Sequence, residues 1–195
     1  MLSPPSDTRY DSDDLPYPAH GQALPEVSVP DALTGETVDT AALDETLVVT
    51  AFFASCPAEC LLLVGQLASV QQATLDRGLS EEVTFLAITF DPARDDAAAL
   101  RDYADKMNVD VEAGNWRFLR PESEARAETV VDDKLGVTFD RIGGESARVE
   151  GYDFRHLSLT FLVNPSGIVE RAYRTDRPDV DRVVSDVATV VEGPT

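Results

Sequence analysis

The sequence predicts an α/β domain built on a central mixed sheet that helices flank. Two observations lead to this fold class. Strand-like apolar runs alternate along the chain with segments that carry apolar residues at helical spacing, and the chain closes with two strands followed by one helix. Alternation of strands and helices is typical of α/β folds. The length of 195 residues suits a single domain with an N-terminal extension.

The first elements follow an N-terminal linker. Residues 1–22 combine prolines, glycines and aspartates without an apolar period, so we expect a flexible linker there and one domain over residues 23–195. The domain begins with a hairpin whose strands lie near 24–29 and 36–38. A largely apolar run at 47–53 predicts the first core strand.

Helices and strands then alternate to the C-terminus. The spacing of apolar residues predicts helices at 57–78, 96–107, 121–135 and 180–191, and strands at 83–90, 116–118, 159–163 and 168–173. Residues 141–154 contain Gly143, Gly144 and Gly151 between short apolar pieces, which indicates a hairpin insertion before the last two strands. This order fits a thioredoxin-like fold, whose active loop lies where the first core strand meets its helix.

The two cysteines of the chain, Cys56 and Cys60, directly follow the strand at 47–53. If a helix begins at Pro57, where a proline suits the first turn, Cys60 lies about one turn beyond Cys56 and both sulfurs face one point. Such a pair is either a redox dithiol or two soft metal ligands. The spacing alone does not decide, because disulfide-exchange enzymes use two intervening residues and structural zinc sites use two such pairs.

The two histidines differ in their surroundings. His20 lies in the polar N-terminal stretch, and we expect it to be a solvated residue rather than a ligand. His156 directly precedes the strand-like run at 157–163, so it and the cysteines can meet at one edge of the sheet. Two thiolates and one imidazole favour a soft or borderline metal, above all copper.

At these positions the chain resembles the Sco/SenC family, the thioredoxin-fold copper chaperones that help to build the CuA centre of cytochrome c oxidase. The resemblance rests on three blocks in the family's order: Cys56-Pro57-x-x-Cys60, Ile88-Thr89-Phe90-Asp91-Pro92-Ala93-Arg94-Asp95, and His156 followed by residues 161–167. It covers roughly residues 25–192. The chain departs from the family after the second cysteine, where Leu61 replaces the usual proline.

The resemblance implies a function and a set of site residues. Cys56, Cys60 and His156 would bind copper, as Cu(I) or Cu(II), for delivery to the CuA site in subunit II of cytochrome c oxidase or a similar oxidase. Alternatively, Cys56 and Cys60 would act as a redox dithiol that prepares the cysteines of that site. The resemblance thus implies a non-enzymatic copper chaperone, with thiol-disulfide reductase action as a second role. Asp91 is either an outer-sphere partner of the metal loop or a turn carboxylate, and Arg94 and Asp95 are more simply interpreted as a surface pair.

A thiol-disulfide oxidoreductase of the same fold is the main alternative function. Thioredoxin-type enzymes place a cis-proline just before the strand that begins here near Leu159, and this chain has no proline between Pro121 and Pro165. Peroxiredoxins carry threonine or serine three residues before the reactive cysteine, where this chain has Phe53. We therefore favour the copper-binding assembly factor.

The resemblance also implies a cellular location. Sco-like proteins are usually tethered outside the cytoplasmic membrane by an N-terminal helix or a lipid. The sequence shows neither the roughly 18 consecutive apolar residues of a membrane span nor a signal segment. We expect this chain itself to be soluble, and the full-length protein to be anchored at the extracytoplasmic face of the cell membrane, unless the protein is naturally unanchored.

The charge balance is strongly acidic. With 36 acidic and 16 basic residues, the formal net charge is -20, so a nucleic acid would be repelled and is excluded as a partner. Only Lys106 and Lys134 are lysines. An acidic surface with few lysines predicts a protein from a halophile, kept soluble in high salt; the alternative is an ordinary acidic protein.

The salt adaptation predicts that the melting temperature rises between low and molar salt. The Debye length falls from about 10 Å at 0.1 M to about 3 Å at 1 M, so repulsion between distant carboxylates fades. Sodium chloride and potassium chloride should act alike, because screening does not depend on one cation. Thermal unfolding of the metal-free, reduced protein measures this. A melting temperature that stays flat or falls would contradict the salt adaptation.

Overall fold

The computed structural model describes residues 1–3, 15–56, 59–141 and 154–193. Its elements are β1 (Ser28–Pro30), β2 (Thr37–Asp39), β3 (Thr46–Phe52), α1 (Glu59–Asp76), β4 (Val83–Thr89), α2 (Ala97–Met107), β5 (Trp116–Leu119), α3 (Glu124–Ala127), β6 (Phe139–Arg141), β7 (Phe154–His156), β8 (Thr160–Val163), β9 (Val169–Tyr173) and α4 (Val180–Glu192). Strands and helices therefore alternate as the sequence predicts.

The central sheet contains five strands in the order β5-β4-β3-β8-β9. Strands β3, β4 and β5 are parallel to one another, whereas β8 runs antiparallel to both β3 and β9. Every residue of β3 is buried, which explains why this central strand reads as a continuous apolar run rather than as an alternating pattern. The predicted thioredoxin-like fold with a mixed central sheet is confirmed.

Packing of helices and aromatic rings closes the core around this sheet. Helix α4 packs against α1 and β3. The largest fully buried side chains include six phenylalanines, namely Phe52, Phe53, Phe85, Phe90, Phe118 and Phe161. Within the described residues, no helix is both long enough and apolar enough to cross a membrane.

Two antiparallel pairs lie outside the central sheet. Strands β1 and β2 form the predicted N-terminal hairpin, with Val29 opposite Val38. Strands β6 and β7 pair with Phe139 opposite His156, at the two ends of the predicted insertion. Residues 142–153, which make up most of that insertion, lie outside the described residues.

The helix predicted at 121–135 has a different form in the structure. Only Glu124–Ala127 is α-helical, and residues Glu128–Lys134 continue it with π-helical winding. In this segment the adjacent residues Val130 and Val131 are both buried. The chain leaves the segment at Gly136, whose backbone φ is +66°.

The described residues before position 23 contact the sheet. The backbone N–H of Leu2 donates to the Glu170 carboxylate at 2.6 Å, and the N–H of Gly21 donates to the carbonyl of Val169 at 2.9 Å. The carbonyl oxygen of Pro16 lies 1.9 Å from where a Cβ on Gly136 would stand, so only glycine fits there. The linker boundary at residue 22 stays a prediction, and residues 4–14 lie outside the described residues.

Candidate metal centre

The candidate centre lies at the edge of the sheet where β3 ends and β8 begins. Strand β3 ends at Phe52, and the chain passes Cys56 before α1 begins. Because β8 runs antiparallel to β3, with Thr50 opposite Thr160, the start of β8 lies beside the end of β3. Strand β7 ends at His156, just before β8. The sheet topology thus carries residues that are far apart in sequence to one edge.

The structure brings together the three residues that the sequence singled out. One ligand atom from each of Cys56, Cys60 and His156 lies within 4.8 Å of the other two. The Nε2 atom of His156 is 3.5 Å from the Sγ atom of Cys60. Both cysteines are buried, and His156 is half-buried. Two sulfurs and one imidazole nitrogen in this arrangement can bind one soft metal ion.

Backbone hydrogen bonds shape the loop around Cys56. The N–H of Cys56 donates to the carbonyl of Phe53 at 3.3 Å, which closes a turn after β3. The N–H of Cys60, in the first turn of α1, donates to Cys56 Sγ at 3.3 Å. A donor at a helix N-terminus that points at sulfur stabilises the thiolate form, which is the form that binds metal and attacks disulfides.

Aromatic rings enclose the imidazole of His156. The ring of Phe53 meets it edge-on, with the ring centroids 5.9 Å apart, and the ring of Phe90 lies 5.4 Å from it. The pairing of β6 with β7 places His156 opposite Phe139, whose ring stacks on Phe90 at 4.7 Å. These apolar neighbours limit the access of water and fix the orientation of the imidazole.

A buried carboxylate holds the loop before the first cysteine. Asp95 is almost fully buried, and its Oδ2 atom accepts hydrogen bonds from the N–H of Ala54 at 3.0 Å and from the hydroxyl of Thr89 at 2.5 Å. Burial raises the pKa of Asp95 to about 6, although both hydrogen bonds oppose this shift. Asp95 therefore links the cysteine loop to the end of β4.

A tyrosine holds the same loop after the second cysteine. The hydroxyl of Tyr103, on α2, donates to the carbonyl oxygen of Cys60 at 3.0 Å. Its ring stacks on Phe52 with the centroids 5.2 Å apart. Burial, followed by the nearby charges of Cys60 and Cys56, raises the pKa of Tyr103 well above its usual range, so the hydroxyl remains a donor.

Asp91 forms a buried ion pair beside the centre. Its carboxylate bonds to Arg94 and lies 3.7 Å from the guanidinium of Arg141. The guanidinium carbons of the two arginines lie 5.9 Å and 4.7 Å from the centroid of the Phe154 ring, at the start of β7. Asp91 is not part of the Cys-Cys-His cluster. Through Arg94 and Arg141, which contact Phe154, Asp91 supports β7, the strand that carries His156.

Sequence reasoning missed the supporting residues. It interpreted Arg94 and Asp95 as a surface pair, which is wrong because Asp95 is buried and Arg94 pairs with Asp91. It had no signal for the role of Tyr103 beyond its position on the apolar face of a helix. One signal was present: two successive aspartates precede α2, and only Asp96 serves as its N-cap. The other carboxylate of this pair, that of Asp95, therefore needed another role.

The structure also corrects the expectation for His20. This residue is half-buried, and its Nδ1 atom lies 3.1 Å from the carbonyl oxygen of Glu170 in β9. It is therefore not a solvated linker residue. The cluster of potential metal ligands does not include it.

Comparisons with known proteins agree with this arrangement. The model of the SCO1/SenC family matches residues 32–192. Comparison with curated protein sequences gives no match. Three solved structures share the fold. A SCO1/SenC family lipoprotein from Bacillus anthracis is 18% identical with a TM-score of 0.71, over 87% of this chain and 95% of that one.

The other two structures are similar at the same level. Yeast Sco1 with copper bound is 20% identical with a TM-score of 0.64, over 88% of this chain and 90% of that one. BsSco, described as a member of the Sco family of cytochrome c oxidase assembly proteins with a disulfide switch, is 19% identical with a TM-score of 0.68, over 90% of this chain and 96% of that one.

The raised pKa of Asp95 predicts an unusual pH dependence of stability. Its folded-state pKa of about 6 lies above the ordinary 3.8, so the folded state holds this proton more tightly than the unfolded state. Ionisation of Asp95 therefore lowers the free energy of unfolding as the pH rises from about 4 to above 6, by on the order of 3 kcal/mol. Asp95→Asn should remove this loss while keeping an acceptor for Ala54.

Urea unfolding at several pH values measures this effect. Relative to the wild type, Asp95→Asn should gain stability as the pH rises from about 4 to 7. Asp96→Asn is the matched control at the neighbouring aspartate, because hydrogen bonds from the N–H groups of Ala99 and Ala98 lower the pKa of Asp96 from its ordinary 3.8, so its contribution changes mainly below pH 4. The difference between that control and the wild type should stay nearly constant over the same rise. A constant difference between wild type and Asp95→Asn would contradict the prediction.

Proposed function

Because this chain belongs to the SCO1/SenC family, we propose that it is a copper-binding metallochaperone. Copper is the cargo, and Cys56, Cys60 and His156 hold one ion of it. The protein delivers this ion to the CuA site of a cytochrome c oxidase, or prepares the cysteines of that site. The observation that carries the proposal is the convergence of two thiols and one imidazole within 4.8 Å.

The ligand set suits transfer as well as binding. Two thiolates and a neutral imidazole can hold Cu(I) with three ligands and can also accept Cu(II), which prefers a nitrogen ligand more strongly. The thiols must lose their protons to bind the ion, so loading releases protons. A three-ligand site leaves a position for an incoming ligand from a partner, so copper can move by ligand exchange without becoming free.

Burial decides which ligand a partner meets first. Cys56 and Cys60 are 2% and 0% exposed, whereas His156 is half-buried. A partner sulfur or imidazole therefore approaches from the His156 side and replaces that ligand first. The thiolates release copper last, because they are the softer ligands and are more deeply buried than His156.

The proposed partner and location follow the relatives. BsSco belongs to a family of cytochrome c oxidase assembly proteins, and the relative from Bacillus anthracis is a lipoprotein. We infer that the full-length protein acts at the extracytoplasmic face of the cell membrane, held there by an N-terminal anchor. Subunit II of the oxidase, which contains the CuA site, is its proposed partner.

A second function uses the same cysteines as a dithiol reductant. The hydrogen bond from Cys60 to Cys56 Sγ favours this reading, because it stabilises an attacking thiolate. Cys56 attacks a disulfide of the partner and forms a mixed disulfide, and Cys60 then displaces the partner's second thiol. The products are a Cys56–Cys60 disulfide and a reduced partner dithiol, so an external thiol must reduce the protein again.

Copper titration of His156→Ala tests the proposed site. The reduced wild type should bind one copper ion per chain. His156→Ala should weaken Cu(II) binding at least tenfold and affect Cu(I) less, because the thiolates supply most of the affinity for the softer ion. His20→Ala is the matched control, since it removes the other histidine, and should bind copper like the wild type. Unchanged Cu(II) affinity and spectra in His156→Ala would exclude this residue from the site.

A further inference from the structure

A cavity lined by arginines lies at the β9 edge of the central sheet. It has a volume of about 560 Å³, and Arg171, Arg174, Arg177 and Arg182 line it together with Tyr173 and His20. We call it the arginine cavity. Four of the 16 lysines and arginines of the chain thus gather at one place in a protein whose net charge is -20.

The arginine cavity faces the same end of the sheet as the candidate metal centre. Tyr173, the last residue of β9, pairs with Thr160, which in turn pairs with Thr50 near the end of β3. Two strand spacings separate β9 from β3, a distance of about 10 Å. The segment from Arg174 to Asp179 therefore leaves the sheet at the same end as the loop that carries Cys56.

The inner arginines of the cavity, Arg171 and Arg182, both lie close to the carboxylate of Asp186. Asp186 on α4 accepts the hydroxyl hydrogen bond of Tyr173 at 2.7 Å, and its Oδ2 atom lies 3.6 Å from Arg171 Nε and 4.0 Å from Arg182 Nε. Asp179, the one acidic residue among the described residues that line the cavity, caps α4 by accepting from the N–H of Arg182. These two carboxylates offset only part of the positive charge.

The outer arginines, Arg174 and Arg177, have no carboxylate partner among the described residues. Arg174 and Arg177 are exposed, and within the described part of the chain no carboxylate lies within ion-pair distance of either guanidinium. On the other side of β3, by contrast, Arg94 and Arg141 are paired with Asp91 and Glu124. Within the described residues, the arginine cavity therefore offers two exposed arginines without a carboxylate partner at the end of the molecule that carries the metal centre.

We propose that the arginine cavity, with Arg174 and Arg177 at its rim, is the docking surface for an acidic segment of the protein that exchanges copper with this chain. This inference rests on the proposed function. Ligand exchange requires the partner to touch the metal centre, and an interface of ordinary size buries about 800 Å² on each protein. Such an interface extends over neighbouring strands, and β9 lies two strand spacings, about 10 Å, from β3, whose end leads into the loop of Cys56.

Charge selects the chemistry of that partner. Elsewhere the acidic surface of this chain repels an acidic protein, so the arginine cavity favours one orientation of approach and brings the partner's metal-binding groups to His156. Guanidinium groups bind carboxylates through two parallel hydrogen bonds, which fixes register better than lysine would. The side chain of Arg171, only 12% exposed and anchored by Asp186, forms a rigid floor for this contact.

A labelled, end-capped peptide of six aspartates is the probe for the test, with a peptide of six asparagines as the neutral comparison. Binding is measured by fluorescence anisotropy in about 0.1 M salt, where distant carboxylates are screened beyond about 10 Å but contact pairs persist. The wild type should bind the acidic peptide, with amide NMR shifts at Arg174 and Arg177, and should not bind the neutral one. Arg174→Glu combined with Arg177→Glu should weaken binding at least tenfold.

The matched control is Arg77→Glu combined with Lys106→Glu, which changes the net charge equally at two exposed positions away from the cavity. This control should weaken binding less than threefold. Absence of binding by the wild type, or an equal loss in the control, would overturn the proposal. Tighter binding of inorganic pyrophosphate than of the peptide would also overturn it and would assign the cavity to small anions.

Copper loading of the same samples separates this proposal from the proposed function. The double arginine variant should bind one copper ion per chain like the wild type, because neither residue contacts the cluster of Cys56, Cys60 and His156. Peptide binding without copper loading in the wild type would refute the copper function and leave the cavity as a surface that binds acidic segments without a role in copper exchange. Copper loading without peptide binding would refute the docking surface and leave the copper function standing.

Discussion

The antiparallel register between β3 and β8 is the constraint on which the site depends. The hydroxyl of Thr50 donates to the carbonyl of Leu159 at 2.9 Å, which fixes Thr50 opposite Thr160 inside the buried sheet. A slip of one residue would move the chain before β8 by about 3.3 Å and turn its side chains to the other face. Since the three candidate ligand atoms lie within 4.8 Å of one another, such a slip would remove His156 from the cysteines.

The loop between β3 and α1 depends on support from outside itself. Asp95 holds it before Cys56 and Tyr103 holds it after the second cysteine, so both fixed points come from the segment around α2. The carboxylate of Asp95 is held in a buried position that raises its pKa and lowers stability at neutral pH. A cost of this kind at a functional loop agrees with a site whose geometry is set for exchange rather than for maximal stability.

The sequence was sufficient for the features that rest on local pattern. The buried strands, the pair Cys56 and Cys60, and the position of His156 before a strand all follow from short-range spacing, and they predicted the fold and the cluster. Asp95 was misjudged because its burial depends on Ala54, 41 positions earlier in the chain. The arginine cavity was not predicted, because β9, the following loop and α4 contribute its residues without any shared period.

The central claim is that Cys56 and Cys60 act together as thiolate ligands of copper, and copper binding by the oxidised and reduced forms tests it most directly. A disulfide between these residues offers no thiolate, so copper binding and the disulfide should exclude each other. The account predicts tight binding of one copper ion per reduced chain and none by the oxidised chain until a reductant is added. Equal copper loading of the two forms would contradict it and would point to carboxylates as the ligands.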